Sequence, residues 1–460
     1  MTEPGPAHRF ERSSIAFTAI CLGYFAIILD GSVLNVAIPA IRADLHASLA
    51  SAQWVLNAYT LTLAGLLLTA GALGDRIGLR RMLLLGTALF TAASAACAAA
   101  PSVPVLISAR VVQGLGAAAL LPATLALIPY LFRDAASRGR ATVVWVGIGA
   151  GAVALGPLVG GLLIDAFGWR SVFLINVPIG IVSVLLGRIS VDETPRHERA
   201  VDRVGQALAI LTLVLVTGGV IHGGDAGWSS PVTIALLAAG VLLGIGFVAW
   251  ERRVGEPMLP PAFFSNRLRT VAVVSASLMG FLFYGTLFLM SLYFQELRGW
   301  TPGSTGVALL PLTVGSLAGP FVIYRPLARR FGHPVLLVAG FVCCAAGVGV
   351  LAGTGAHTAY VQIAGGLLLM GISSTVSFSA LTSLLLESVS PAQSGLASGV
   401  QNTTRQAGAL MAVSILGAVL NAAGFASRLS AAFVVLGVAV LLAIAISALA
   451  LGGGYRATRA

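Results

Sequence analysis

The sequence predicts an all-α polytopic membrane protein with fourteen spanning helices. Composition comes first. Of 460 residues, 57% are hydrophobic and only 9% charged, with mean hydropathy +0.95; a soluble domain carries about 25% charged residues. Spacing comes second. Apolar segments run over roughly 14–39, 52–73, 82–100, 104–129, 140–164, 170–188, 204–222, 231–250, 270–294, 303–324, 334–352, 358–385, 395–421 and 429–451, most of them close to the ~20 residues that cross a bilayer as a helix. Charge placement comes third. Twenty-one of the 27 basic residues fall in loops on one side of this pattern and four on the other. The positive-inside rule puts the rich side, and with it both termini, in the cytoplasm. In lipid the backbone must satisfy its own hydrogen bonds, so each segment is expected to be helical. No ten-residue alternation argues for a barrel.

The first segment contains Leu29–Pro39, LDGSVLNVAIP, which places Asp30 at membrane depth. An acid there costs about 3 kcal/mol or more and reads by default as a functional site. A bare charge in that setting needs a proton or a cation. The fourth segment supplies a cation, Arg110, with Gln113 and Gly114 on the same helical face. An Asp30–Arg110 pair is therefore expected. It reads either as a switchable proton site or as a static structural pair.

Between the second and third segments lies Gly71–Arg81, GALGDRIGLRR. Gly74 and Gly78 permit close backbone approach. Asp75 is expected to face the start of the next helix or to pair with an arginine of the loop. The form L-x-x-R-[IF]-G recurs at Leu327–Gly332 after the tenth segment. It pairs the second span with the tenth and suggests two related halves. The expected division is 1–188, 189–269 and 270–460: a six-helix bundle, a linker with two additional helices, and a second six-helix bundle. Prolines at 195, 257, 260 and 261 mark the linkers around the extra pair.

The fifth segment carries GIGAGAVALGPLVGG, Gly147–Gly161. Gly149, Ala152, Gly156 and Gly160 form one small-residue stripe suited to close helix packing, and Pro157 is expected to kink or weaken the helix. The thirteenth segment holds a polar face of Gln401, Asn402 and Arg405. With Asn35, Trp54, Asn57, Tyr59, Gln113, Trp145 and Tyr284 these are the candidates for a substrate surface. For the aromatic and amide residues, core packing or an interfacial belt is the competing reading.

Several chemistries are excluded. The chain has no lysine, so it cannot contain a Walker A loop and does not itself use ATP. The basic balance is explained by loop topology rather than by nucleic acid. None of the six histidines lies in H-E-x-x-H, and the four cysteines have neither metal-ligand nor disulfide spacing. No catalytic constellation, metal or cofactor is expected.

These motifs together resemble the major facilitator superfamily, and within it the fourteen-span drug:proton antiporters. LDGSVLNVAIP is similar to that family's first-span motif, with Asp30 its acid. GALGDRIGLRR is similar to the superfamily loop motif, placing Gly71, Gly74, Asp75, Arg76, Gly78 and Arg80, although Leu79 stands where a basic residue is common. LISARVVQGLG, Leu106–Gly116, matches the fourth-span motif at Arg110, Gln113 and Gly114. GAVALGPLVGG resembles the fifth-span antiporter motif, with Gly151, Gly156, Pro157 and Gly160. WRSVFLINVPIG, Trp169–Gly180, is similar to the sixth-span entrance. The resemblance implies the major facilitator fold, two six-helix bundles plus two extra central helices. It also implies export of a hydrophobic, cationic or aromatic compound such as an antibiotic, driven by inward proton flow. Asp30 and Arg110 would couple the proton, and the loop and glycine motifs would gate. A monomer in a bacterial inner membrane, bound to a small molecule and the bilayer, is the expectation. A proton-coupled uptake symporter or facilitator is the alternative on the same fold.

Overall fold

The computed structural model describes residues 6–132, 134–196, 202–390, 393–421 and 425–451. Among them every regular element is helical. Arg133, Arg199, Arg456 and Arg459, which contribute to the loop-charge asymmetry, lie outside the described residues. Among the described residues thirteen helices are long and apolar enough to span: α1 Arg12–Asp44, α2 Leu49–Ile77, α3 Leu79–Ala98, α4 Val103–Ala126, α5 Ala135–Phe167, α6 Ser171–Ser190, α7 Arg203–Ala226, α8 Pro231–Glu251, α9 Arg267–Leu297, α11 His333–Ala352, α12 Tyr360–Glu387, α13 Ser394–Asn421 and α14 Arg428–Ala448. The fourteenth, α10, is a bent pair, Pro302–Ala318 and Val322–Phe331, meeting at 47°. Gly319 and Pro320 occupy the bend. A proline has no N–H to give to the preceding turn, which accounts for a bend there. At Pro157, α5 continues as one 33-residue helix.

The chain divides into two compact units, Met1–Gln206 and Ala207–Ala460. By this division α8 and nearly all of α7 group with the second unit. Within the first unit α1 packs on α5 and α6, α2 on α4, and α3 on α4 and α6. Within the second, α9 packs on α13 and α14, α10 on α12, and α11 on α12 and α14. Each pairing of the first unit thus recurs eight helices later. The repeated loop motif follows the same offset. Gly78 and Gly332 end their helices with φ of +98° and +79°, and each N–H reaches back 3.0 Å to the carbonyl of Gly74 or Ala328. Only glycine adopts that backbone without strain.

Small residues set the helix separations, as expected where lipid offers no hydrophobic driving force. Gly86 on α3 and Gly116 on α4 face each other so closely that a Cβ at Gly116 would lie 2.5 Å from the Phe90 nitrogen. Gly114 sits over the Tyr59 carbonyl of α2. On α5, Gly156 abuts Ser32 and Gly160 abuts Val33, both on α1. Gly116→Val is therefore expected to separate α3 from α4 and to lower stability by about 1–3 kcal/mol, the usual range for overpacking. A thermal midpoint in detergent equal to that of the unmodified protein would count against this packing.

Candidate functional site

Asp30 is 3% exposed and Arg110 is 1% exposed. They meet at the centre of the first unit, Arg110 Nη1 to Asp30 Oδ2 at 2.5 Å. The expected pair is present, and it belongs to a larger network. Gln113 Nε2 donates to Asp30 Oδ1 at 2.8 Å and also to Ser94 Oγ at 2.8 Å. Gln113 Oε1 accepts from Arg110 Nη1 at 2.6 Å. Asn176 Nδ2, from α6, donates to Asp30 Oδ1 at 2.9 Å. Arg110 is anchored independently of the acid. Its Nε donates to the Val55 carbonyl at 3.1 Å, and its guanidinium lies 4.3 Å from the Tyr59 ring centre and 5.7 Å from that of Phe173. Such stacking suits a weakly hydrated, planar cation in a dry site.

Local sequence explains each placement. Arg110 and Gln113 are one turn apart on α4, so both reach the same acid. Gly114, next to Gln113, brings α2 close enough for Tyr59 to lie against the guanidinium and donate its hydroxyl to the Ile27 carbonyl at 3.2 Å. The start of α6 is tied down by Trp169 and Arg170. Trp169 Nε1 and Arg170 Nη1 both donate to Asp44 Oδ2, at 2.8 and 2.7 Å, which positions Asn176 a short way along the chain. Asp30 thus receives three N–H donors and offers only acceptors, the arrangement an ionised carboxylate requires.

Gln113 and Tyr59, candidates for a substrate surface, are in this structure enclosed in the charge network, where the buried arginine finds an acceptor and a π-face close by. Asn176 and Ser94 were not singled out at all. An amide inside the apolar run Val172–Ile181 was the available signal for Asn176.

The remaining candidates are more dispersed. Asn35 and Asn57 are buried, and Asn35 Nδ2 donates to the Gly31 carbonyl of its own helix at 3.3 Å. Trp54 is half-buried. Trp145 stacks on Tyr24, rings 3.9 Å apart and 14° from parallel. Gly151 faces open space. In the second unit, Arg405 Nη1 donates to Tyr284 Oη at 3.3 Å and Nη2 approaches Asn402 Oδ1 at 3.5 Å. Gln401 points elsewhere, its Nε2 donating to Thr382 Oγ1 at 2.9 Å. No Asp or Glu partner for Arg405 is found among the described residues.

The Gly71–Arg81 turn is held by the segment that follows α6. The Leu79 N–H, first in α3, donates to Thr194 Oγ1 at 2.9 Å. Thr194 thus caps the start of α3, and Asp75 is half-buried nearby in the turn. Glu193 lies against Gly78 and pairs with Arg81 at 3.4 Å. Arg80 Nη2 donates to the Arg188 carbonyl at 3.0 Å, and Arg76 is exposed. Gly71 faces open space, whereas a Cβ on Gly74 would meet the Leu79 side chain at 3.2 Å. Thr194→Val is expected to lower stability by about 1–3 kcal/mol through an unsatisfied buried N–H. Asp192→Asn, which removes an exposed pair with Arg12, is expected to change it by less than about 1 kcal/mol. Equal thermal midpoints for the two variants would refute the difference.

A repeated helical architecture around one buried acid–arginine network is that of a secondary membrane transporter. The chain belongs to the major facilitator superfamily, whose family model matches residues 20–413. It is 33% identical to the methylenomycin A resistance protein of Streptomyces coelicolor, over 91% of this chain and 88% of that protein. It is 34% identical to the multidrug resistance protein Stp of Mycobacterium tuberculosis, over 89% and 76%. It is also 34% identical to the tetracenomycin C resistance and export protein of Streptomyces glaucescens, over 87% and 75%.

Proposed function

We propose that this protein exports a hydrophobic, cationic or aromatic compound such as an antibiotic across a bacterial inner membrane in exchange for protons, by alternating access. The observation that carries the reading is Asp30: a carboxylate at membrane depth, ringed by three N–H donors and paired with Arg110. Intramembrane charge is expensive and is kept where it moves ions or substrate. The names of the relatives, which include resistance to methylenomycin A and resistance to and export of tetracenomycin C, support export and an antibiotic-like cargo.

In this cycle a proton from outside binds Asp30 and releases it from Arg110. The neutral acid permits one orientation of the transporter. Loss of the proton to the cytoplasm restores the pair and the other orientation. Arg110 stays in place throughout, held by Val55 and Tyr59. Six-helix halves 1–188 and 270–460 carry the motion, with 189–269 as an insertion between them. Both termini face the cytoplasm, the working unit is a monomer, and the proton gradient replaces ATP or any cofactor.

The test uses everted vesicles acidified inside by respiration and monitored with a pH-sensitive dye. Cationic dyes, aromatic antibiotics and neutral polyketides are added in turn. Release of protons on adding a compound supports antiport. Accumulation of a compound in right-side-out vesicles under an inward proton gradient would establish the uptake alternative instead.

A further inference from the structure

We propose that Asn176 is the partner that accepts the proton-bearing form of Asp30: its side-chain amide donates to the carboxylate and turns over when the carboxyl takes a proton, presenting Oδ1 to the new O–H. This rests on Asp30 being the proton site.

The observation is an orphan. Asn176 is fully buried, its Nδ2 is engaged with Asp30 Oδ1 at 2.9 Å, and its Oδ1 has no hydrogen-bond partner among the described residues. A buried unpaired amide oxygen is costly and calls for an explanation. The ionised acid selects this orientation, since an amide oxygen turned toward a carboxylate would face like charge.

Protonation reverses the requirement. One O–H bond forms on Asp30, and that hydrogen must find an acceptor or remain an unsatisfied buried donor. The recorded neighbours of the carboxyl all present N–H groups: Arg110 Nη1, Gln113 Nε2 and Asn176 Nδ2. Arg110 has no acceptor to offer. Gln113 is locked. Turning its amide would break the bond from Arg110 Nη1 to Oε1 and the bond from Nε2 to Ser94, and would set NH2 against guanidinium. Asn176 loses only the bond to Asp30 itself and brings an unused oxygen to the same place. The turn therefore gives the new O–H an acceptor and leaves the unengaged side of the amide, whichever atom it carries, as the one open position in both states.

The position suits a signal as well as a bond. Asn176 opens the main helix of α6, Asn176–Ser190, just after the break at Ile175 that separates it from the turn Ser171–Leu174. The other titratable or charged groups of the network are Arg110 from α4, Tyr59 from α2 and Cys97 from α3. The charged residues of α5 and α6, namely Arg138, Arg140, Asp165 and Arg188, lie toward the ends of those helices.

The test is infrared difference spectroscopy between neutral and acid pH, on whole protein in lipid with 13C at the asparagine side-chain carbonyls. Unmodified protein should show a carboxyl band appearing at acid pH together with one asparagine carbonyl band moving to lower frequency, as an unbonded oxygen gains a donor. Both should be missing from Asp30→Asn, and the asparagine band from Asn176→Ser. A carboxyl band with no asparagine shift overturns the role of Asn176 while leaving Asp30 as the proton site. No Asp30 carboxyl band, together with normal proton exchange by Asp30→Asn, overturns the underlying reading itself. In vesicles, Asn176→Leu, which can neither donate nor accept, should lose about tenfold in proton-coupled transport, the scale of one hydrogen bond to a charged group. Asn176→Ser, whose hydroxyl does both, should retain most of it. Full coupling in Asn176→Leu would also overturn the proposal, and if that variant fails to insert, the spectra of the unmodified protein still decide.

Discussion

Asp30→Asn is expected to insert and fold but to lose proton-coupled export to the level of vesicles lacking the protein. The substitution conserves shape in a site with almost no exposure. An asparagine oxygen still accepts from Arg110 Nη1, while its new NH2 group faces Gln113 and Asn176 where Oδ1 stood. Asn176 can turn to receive one of those hydrogens, so the variant imitates the protonated acid and stays in one half of the cycle. What disappears is the group that changes charge. Everted vesicles measure this directly: compound-induced proton release should be absent at normal expression. Normal exchange by the variant would remove Asp30 from the mechanism. Substrate moving down its own gradient should persist in part, because the variant loses coupling rather than the transport path.

Arg110→Leu is expected to be the more damaging change to the folded protein. It removes the cation and leaves the Asp30 carboxylate buried with only two amide donors. It also strips the Tyr59 face of its guanidinium and removes the arginine's bonds to the Val55 carbonyl and Gln113 Oε1. Breaking a buried ion pair by deleting one member costs about 3–5 kcal/mol, a large share of the ~5–15 kcal/mol that ordinarily separates folded from unfolded protein. Yield and thermal midpoint in detergent should both fall. The double variant Asp30→Asn/Arg110→Leu should recover part of that loss, since no uncompensated charge remains, while still failing to couple protons. If the double variant is as unstable as the sum of the two single ones, the pair contributes no mutual stabilisation and the network has been misread.

The predicted pairing of the second span with the tenth rests on a short motif, but its physical content is specific. Gly78 and Gly332 both end a helix with positive φ and both make the same backbone bond. A conformation open to glycine leaves its mark directly in sequence. The acid–arginine pair was legible for a similar reason: two charges inside apolar segments cost too much to stand alone, so each points to the other. Asn176, Ser94 and Tyr59 were not legible in their roles. An amide, a hydroxyl or a phenol in an apolar helix is tolerable with local bonds, so its presence does not demand a particular partner.

Sequence by itself therefore determined the elements whose cause is local or one-dimensional: span length, loop charge, the recurring glycine-ended turn, and the need for the charge of Asp30 to be met. Tertiary packing alone decided which donors meet it. Asn176 reaches Asp30 because α6 packs on α1, and Ser94 reaches Gln113 because α3 and α4 touch at Gly86 and Gly116. The Thr194 segment reaches Leu79 because the chain after α6 returns beneath the α2–α3 turn. Hydrogen bonds act over about 3 Å, so they are determined only once helices far apart in sequence have been brought to that distance.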